Sequence, residues 1–307
     1  MIKTLAAANK SEREHFKIPR SVQQSIPIQR IYRDGIWMVN GKYSRTWRFA
    51  DINYSVASHE DQQEMFLSYC GVLNSLPTGA TAKITINNRR LNGTDFQHSV
   101  LMRLKGDSLD KYRQEYNGIL MEKAVESNNL IQDKYITISV ERKNIEEART
   151  FFKRVDIDLG KSFGKLDSGA KALDNHERLR IFHDFFRPGE EQDFRIDLSE
   201  AMKRGHSFKD AIAPDGMQFK ADHFEIGGKV GRVLFLREYA SYIKDRMITD
   251  LSDFSRNLML SIDILPVPTN EAIKEMQARI LGVESDITRW QQKQNANNNF
   301  TATVPYE

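Results

Sequence analysis

The dipeptide Asn40-Gly41 constrains the fold more than any other local feature of the chain. It separates Ile36, Trp37, Met38 and Val39 from a β-forming stretch running from Tyr43 to Phe49. A two-residue hairpin loop of type I′ needs positive φ at both central positions, which Asn and Gly adopt at little steric cost. A β-hairpin near the start of the folded part is therefore predicted. Further on, residues 82–90 and 134–141 alternate apolar and polar side chains, with Ile84 and Ile86, then Ile136, Ile138 and Val140, on one side. The clearest strand runs from Leu258 to Ile264, with Leu258, Leu260, Ile262 and Ile264 opposite Met259, Ser261 and Asp263. Period-two alternation with polar outer positions indicates antiparallel sheets covered on one side only.

Helices fall between these strands. Ser58 reads as the N-cap of a helix whose Met65, Tyr69, Val72 and Leu76 share a stripe until Pro77 and Gly79. A helix is expected over about 107–130, with Tyr112, Tyr116 and Ile119 on one stripe. Asn144 and Glu147 form a capping-box-like start for another, with Ala148, Phe152, Val155 and Leu159 on its apolar face. A helix over 173–187 stops at Pro188-Gly189, a short one is expected near 207–213, and another over 240–251. A second hairpin is expected over 222–238, turning at Gly227-Gly228 into Val233, Leu234, Phe235 and Leu236. The last helix, about 269–294, carries Ile273, Met276, Ile280, Val283, Ile287 and Trp290 at alternating steps of three and four, a heptad-like seam over about 2.5 heptads.

These elements give an α+β protein of mainly antiparallel sheets with helices packed on one side, an N-terminal hairpin and a long C-terminal helix. Ferredoxin-like βαβ units fit the alternation. The organisation expected is a basic mobile arm over 1–29, an α+β unit over 30–190, a second over 215–294, and a Gln/Asn-rich linker with the start of a truncated following domain over 295–307. The arm follows from charge: residues 1–50 hold ten Lys and Arg against three Asp and Glu, while the rest holds 35 against 39. A basic segment of that kind suits an anionic lipid surface or an acidic partner. No apolar run approaches the length that spans a bilayer or serves as a signal-peptide core, which points to a cytoplasmic protein. The single cysteine, Cys70, cannot close an internal disulfide and reads as a small core residue.

No stretch carries catalytic chemistry. Gly160-Lys161-Ser162 resembles the end of a phosphate-binding loop, but GxxxxGK[ST] needs a glycine five positions before Gly160, where Val155 stands. The preceding residues are also the apolar face of a helix, not a strand running into a loop. Leu258 to Asp263 imitates a magnesium-binding strand, yet Asp263 falls on its polar side. His176 and His183 are seven apart, unlike helical metal pairs, and no cysteine cluster adds ligands. Trp37, Tyr43, Trp47 and Phe49 beside Arg45 and Arg48 resemble the mixture that binds single strands, although cross-strand aromatic pairs equally stabilise a sheet. The candidate interface residues are accordingly Arg45 and Arg48 in the first hairpin, and Ile273, Met276, Ile280, Ile287 and Trp290 in the last helix.

Three long stretches carry a family resemblance: DGIWMVNGKYSRTWRFADINYSVASHEDQQEMFLSYCGVLNSL (34–76), KYITISVERKNIEEARTFFKRV (134–155) and SYIKDRMITDLSDFSRNLMLSIDILPVPTNEAIKEM (241–276). Together they resemble the amino-terminal domain of the conjugative type IV secretion ATPases, the VirB-four (CagE/TrbE) family, in its Gram-positive mobile-element branch. The resemblance implies a non-catalytic docking and assembly domain preceding the ATP-hydrolysing one, at the inner face of the plasma membrane. Implied partners are inner-membrane components of the secretion channel and further copies of the chain, with peripheral membrane contact through the basic arm. ATP and magnesium are expected only for a following domain, so no cofactor is assigned to this chain. The alternatives are a free-standing scaffold protein of a conjugation apparatus, or a single-stranded nucleic-acid-binding module, the less favoured since the chain beyond the arm is not basic.

Overall fold

The computed structural model describes residues 19–90, 100–126, 130–238, 247–252 and 256–300. The expected mobile arm is therefore outside the described residues as far as position 18, including Lys10, Arg13 and Lys17. The start of a following domain, expected at the end of 295–307, lies outside them too from position 301.

Ten strands and eight helices are described, in the order α1 (Val22–Ser25), β1 (Ile28–Ile31), β2 (Trp37–Val39), β3 (Lys42–Phe49), α2 (His59–Asn74), β4 (Ala80–Arg90), α3 (Asp110–Glu126), β5 (Leu130–Val140), α4 (Ile145–Gly164), β6 (Ala170–Ala172), α5 (Asn175–Phe186), α6 (Leu198–Lys203), β7 (Met217–Phe219), β8 (Phe224–Ile226), β9 (Lys229–Gly231), α7 (Met247–Ser252), β10 (Leu258–Ile264) and α8 (Thr269–Phe300). Seven strands form one sheet in the order β1-β2-β3-β5-β4-β10, with β6 paired to β3 beyond the end of β2. Every pairing is antiparallel. β7, β8 and β9 make a separate small sheet. The chain is α+β.

The run β3–α2–β4–α3–β5–α4–β6, with strands ordered β6-β3-β5-β4, is a ferredoxin-like βαββαβ arrangement carrying α3 in its central connection. The β1–β2 hairpin extends it on one side and β10 on the other. The Asn-Gly turn forms where expected: Asn40 and Gly41 have φ of 49° and 76°, and Val39 pairs with Lys42. Gly35 is constrained differently. Its φ is +77° and an added Cβ would sit 2.8 Å from the Leu173 carbonyl oxygen, so only glycine lets the hairpin close on the loop before α5.

Strand alternation sorts side chains onto two faces. On the first, Tyr43, Trp47, Ile136, Ile138, Val140, Ala80 and Ala82 meet Val72 and Leu76 at the end of α2, and Ala148, Phe152, Val155, Leu159 and Phe163 of α4. The two long helices α2 and α4 thus pack on one side of the sheet. Both are capped as predicted, Ser58 accepting from the Asp61 N–H and Asn144 from the Glu147 N–H. Tyr69, expected in the α2 stripe, stands exposed, and Cys70 is only partly covered. The second face carries α5, whose Leu179 is buried with Trp37, Ile26, Ile28, Phe194, Ile212 and Ala213.

Three expectations of organisation change. The segment 1–29 is not an arm throughout: Ser21 caps α1, and Ile26, just after that helix, and Ile28, at the start of β1, are buried with Trp37. The strand assigned to a second unit at 215–294 belongs to the first sheet, since β10 pairs with β4 residue for residue from Leu258↔Asn88 to Ile264↔Ala82. The linker expected from 295 is helical as far as Phe300, there being no Gly or Pro between Gly282 and Phe300 to end α8. The short helix expected near 207–213 forms as a 3-10 helix over Phe208–Ala211.

Candidate functional site

α8 is a helix of 32 residues, about 48 Å long at 1.5 Å rise per residue. Ile273, Met276, Ile280, Val283, Ile287 and Trp290 fall on one stripe of it, and all six are between 49% and 63% exposed. The sequence pattern suggests packing on a sheet or a neighbouring helix. Instead the stripe is uncovered. A second uncovered surface follows β9. Val233, Leu234, Phe235 and Leu236 are 77%, 83%, 81% and 54% exposed, between Arg232 and Arg237. The hairpin expected here turns at Gly227 and Gly228, with φ of 54° and 70°, but β9 ends at Gly231 and the apolar residues lie beyond the ladder. Tyr112, Tyr116 and Ile119 on α3 are exposed as well, so the stripe predicted for that helix also meets no core. Contiguous apolar surface of this kind marks contact with another molecule more often than it marks solvent.

The hairpin arginines do not form a joint surface. Arg45 points to the α4 side, where its Nη1 donates to Asp156 Oδ2 at 2.7 Å and Trp47 Nε1 donates to Asp156 Oδ1 at 2.7 Å. Arg48, three residues on, points to the opposite face and pairs with Asp133 at 2.7 Å. Trp37 and Trp47 likewise lie in different cores. The aromatic and basic residues of the hairpin are therefore divided between two faces of the sheet, and no stacking platform results.

The second face holds a buried polar cluster under α5. Asp133 of β5, 2% exposed, accepts from Arg89 Nε at 2.9 Å and pairs with Arg48. Asp184 of α5, 5% exposed, lies 3.9 Å from Arg89 and 3.7 Å from Arg180. Burial, helped by the Asp133 charge, holds the Tyr135 hydroxyl well above its usual pKa near 10. Further along the same face, Arg178 is buried without a carboxylate. It donates to the Gly35 and Ser44 carbonyls at 2.8 and 3.1 Å and to Ser44 Oγ at 3.2 Å, with its guanidinium 4.0 Å from the Trp37 ring centroid. Burial, with the charge of Arg45 acting in the same direction, draws its pKa down to about 9. Arg178 thus ties α5 to the hairpin through backbone carbonyls. Of the charged residues gathered here, sequence reasoning points to Arg48 and misses Asp133, Arg89, Asp184 and Arg178. An Asp or Arg at an outward strand position reads as solvated until a helix from far along the chain brings a partner to it.

The other candidate motifs resolve as scaffold. Gly160, Lys161 and Ser162 lie in the last turns of α4, which runs to Gly164, so their backbone is helical and no phosphate-cradling loop forms there. His176 and His183 both pack on the Phe194 ring, at 4.8 and 5.0 Å between centroids. Asp263 pairs with Lys83 across β10 and β4 at 3.4 Å. Among the described residues, no group of three or more His, Cys, Asp or Glu side chains could hold a metal ion, and no helix is long and apolar enough to cross a membrane. A shallow cleft at one end of the sheet is lined by Arg48, Lys134 and Lys171, and each of these cations already has an acidic partner: Asp133, Asp51 and Glu177 respectively.

Compared with models of protein families and with curated proteins, the chain matches none of them.

Proposed function

We propose that this chain is a docking and assembly module of a conjugative type IV secretion ATPase, non-catalytic in itself. One observation carries the reading: a fold that buries two separate cores leaves contiguous apolar surface open, on the α8 stripe and at residues 233–236. Surface of that composition is expected to be covered by protein, and in the proposed setting by inner-membrane components of the channel and by other copies of the chain. Arg232 and Arg237 flank the apolar tetrad, which suits a partner beside an anionic membrane surface. The basic residues of the first fifty would add peripheral attraction to the same membrane, at its cytoplasmic side. ATP and magnesium belong, in this reading, to a domain other than this one.

The test uses inner-membrane vesicles that carry or lack the transfer channel. The purified chain should be retained only by channel-bearing vesicles, and replacing both Leu234 and Phe235 with Ser should weaken retention about tenfold or more. Equal retention by both vesicle types would reject docking to the channel. ATP turnover by the purified chain would reject the non-catalytic assignment.

A further inference from the structure

The uncovered stripe of α8 is patterned for a partner helix of its own kind. With Ile273, Ile280 and Ile287 set at the a positions of a heptad, Met276, Val283 and Trp290 fall at d. Arg279 then occupies a g position and Glu284 the e position of the following heptad. In a parallel, in-register pair of helices a g residue faces the e residue five positions on in the partner. Arg279 of each copy would therefore meet Glu284 of the other, twice by symmetry. The remaining flanking pairs, Ala272 with Gln277 and Asp286 with Gln291, set no like charges against each other. Isoleucine at every a position supplies the apolar knobs that a parallel helix pair buries along its seam.

Among the described residues, Arg279 pairs with Glu275, 2.7 Å away and one turn back on the same helix. Both side chains of that pair are largely exposed, at 76% and 62%, so exchanging it for a contact across the seam sacrifices little.

We infer that α8 pairs in parallel register with α8 of a second copy of this chain. This deepens the assembly half of the function proposed above and rests on it, while residues 233–236 remain for the channel partner. From 273 to 290 the seam rises about 26 Å, some 2.5 heptads, which is short for a free-standing coiled coil. The dimer should accordingly be weak and concentration-dependent, and it should strengthen when the copies are held side by side.

Sedimentation of the full chain tests this. A dimer fraction rising with concentration is expected. Ile280→Glu, on an exposed position, should leave the helical circular dichroism and the thermal unfolding unchanged while raising the dimer dissociation constant about tenfold or more. Arg279→Glu should weaken the dimer, and Arg279→Glu with Glu284→Arg in the same chain should restore it. Orientation is read from Val283→Cys in a Cys70→Ser background: a d residue faces itself in the parallel register, so oxidation should link two copies. Monomer at every soluble concentration would overturn the proposal, as would a dimer indifferent to Ile280→Glu. Cross-linking only between Ile280→Cys and Val283→Cys chains would overturn the parallel register. Retention by channel-bearing vesicles without any dimer sinks this inference and leaves the docking reading standing. A dimer without such retention does the reverse.

Discussion

The two faces of the main sheet are built from the same strands and hold together by opposite means. On the α2–α4 face, Trp47, Phe152, Ile136 and Ile138 make an apolar core whose main side-chain polar contact is Asp156 with Arg45 and Trp47. On the α5 face, one half is apolar around Trp37 and Leu179, and the other half is ionic around Asp133, Arg89 and Asp184. Apolar packing is non-directional and tolerates small shifts of a helix, whereas a bridging carboxylate requires its partners at fixed distances. The first face therefore supplies stability, and the second fixes where α5 sits. Truncating either face should be costly, but only on the ionic face can the loss be recovered by changing the partner.

Phe152→Ala and Asp133→Ala should each destabilise by about 3–5 kcal/mol in chemical denaturation, the first by opening a cavity, the second by leaving Arg89 largely buried without its carboxylate. They part on rescue. Asp133→Leu combined with Arg89→Met should recover most of the loss, since replacing a buried ion pair by apolar groups of similar volume is often neutral or better. If the double variant were as unstable as Asp133→Ala, the ionic half would be an energetic necessity, not a device for positioning α5.

A smaller effect separates the faces by pH. Tyr135 lies beside Asp133, and its hydroxyl is held protonated above the usual value near 10 by burial first and by the Asp133 charge second. In the unfolded chain the phenol releases its proton near pH 10, so above that pH the unfolded state binds fewer protons than the folded state. Stability from this group is thus fully present below pH 10 and is lost as pH rises toward its folded value. Tyr135→Phe should lessen the alkaline fall in unfolding free energy by roughly 1 kcal/mol between about pH 10 and pH 11. An unchanged alkaline slope would place the titration elsewhere, Tyr43 on the apolar face being the next candidate through its own burial.

The difference between the faces also marks what could be read from residues alone. Strand parity, the Asn40-Gly41 turn and the caps at Ser58 and Asn144 are local, and each formed where the pattern placed it. The neighbour of β10 could not be read, because an alternating strand fits any open sheet edge and the choice of β4 is settled across some 170 residues of chain. Asp133 has the parity of a solvent-facing residue, and its burial is set by parts of the chain distant in sequence, with Asp184 of α5 reaching its partner Arg89. The α8 stripe was legible as a seam, and its exposure was not, since spacing specifies which side chains align but not what they meet.

The smallest expected effect lies on the ionic face itself. Asp263 pairs with Lys83 at 3.4 Å, in the same sheet as Asp133 and on the same side, but the two side chains are 64% and 48% exposed. Water screens the attraction, and ordering two mobile side chains offsets much of what remains, so exposed pairs contribute about 0–1 kcal/mol. Asp263→Ala should therefore shift the unfolding free energy by less than about 0.5 kcal/mol, and raising the salt concentration should erase even that. A loss approaching that of Asp133→Ala would mean that the outer edge of β10 is covered by another molecule, as it would be if assembly extended from α8 onto the sheet. Measured on a variant kept monomeric by Ile280→Glu, the same substitution should then return to the small value, because only the covering partner could have made an exposed pair matter.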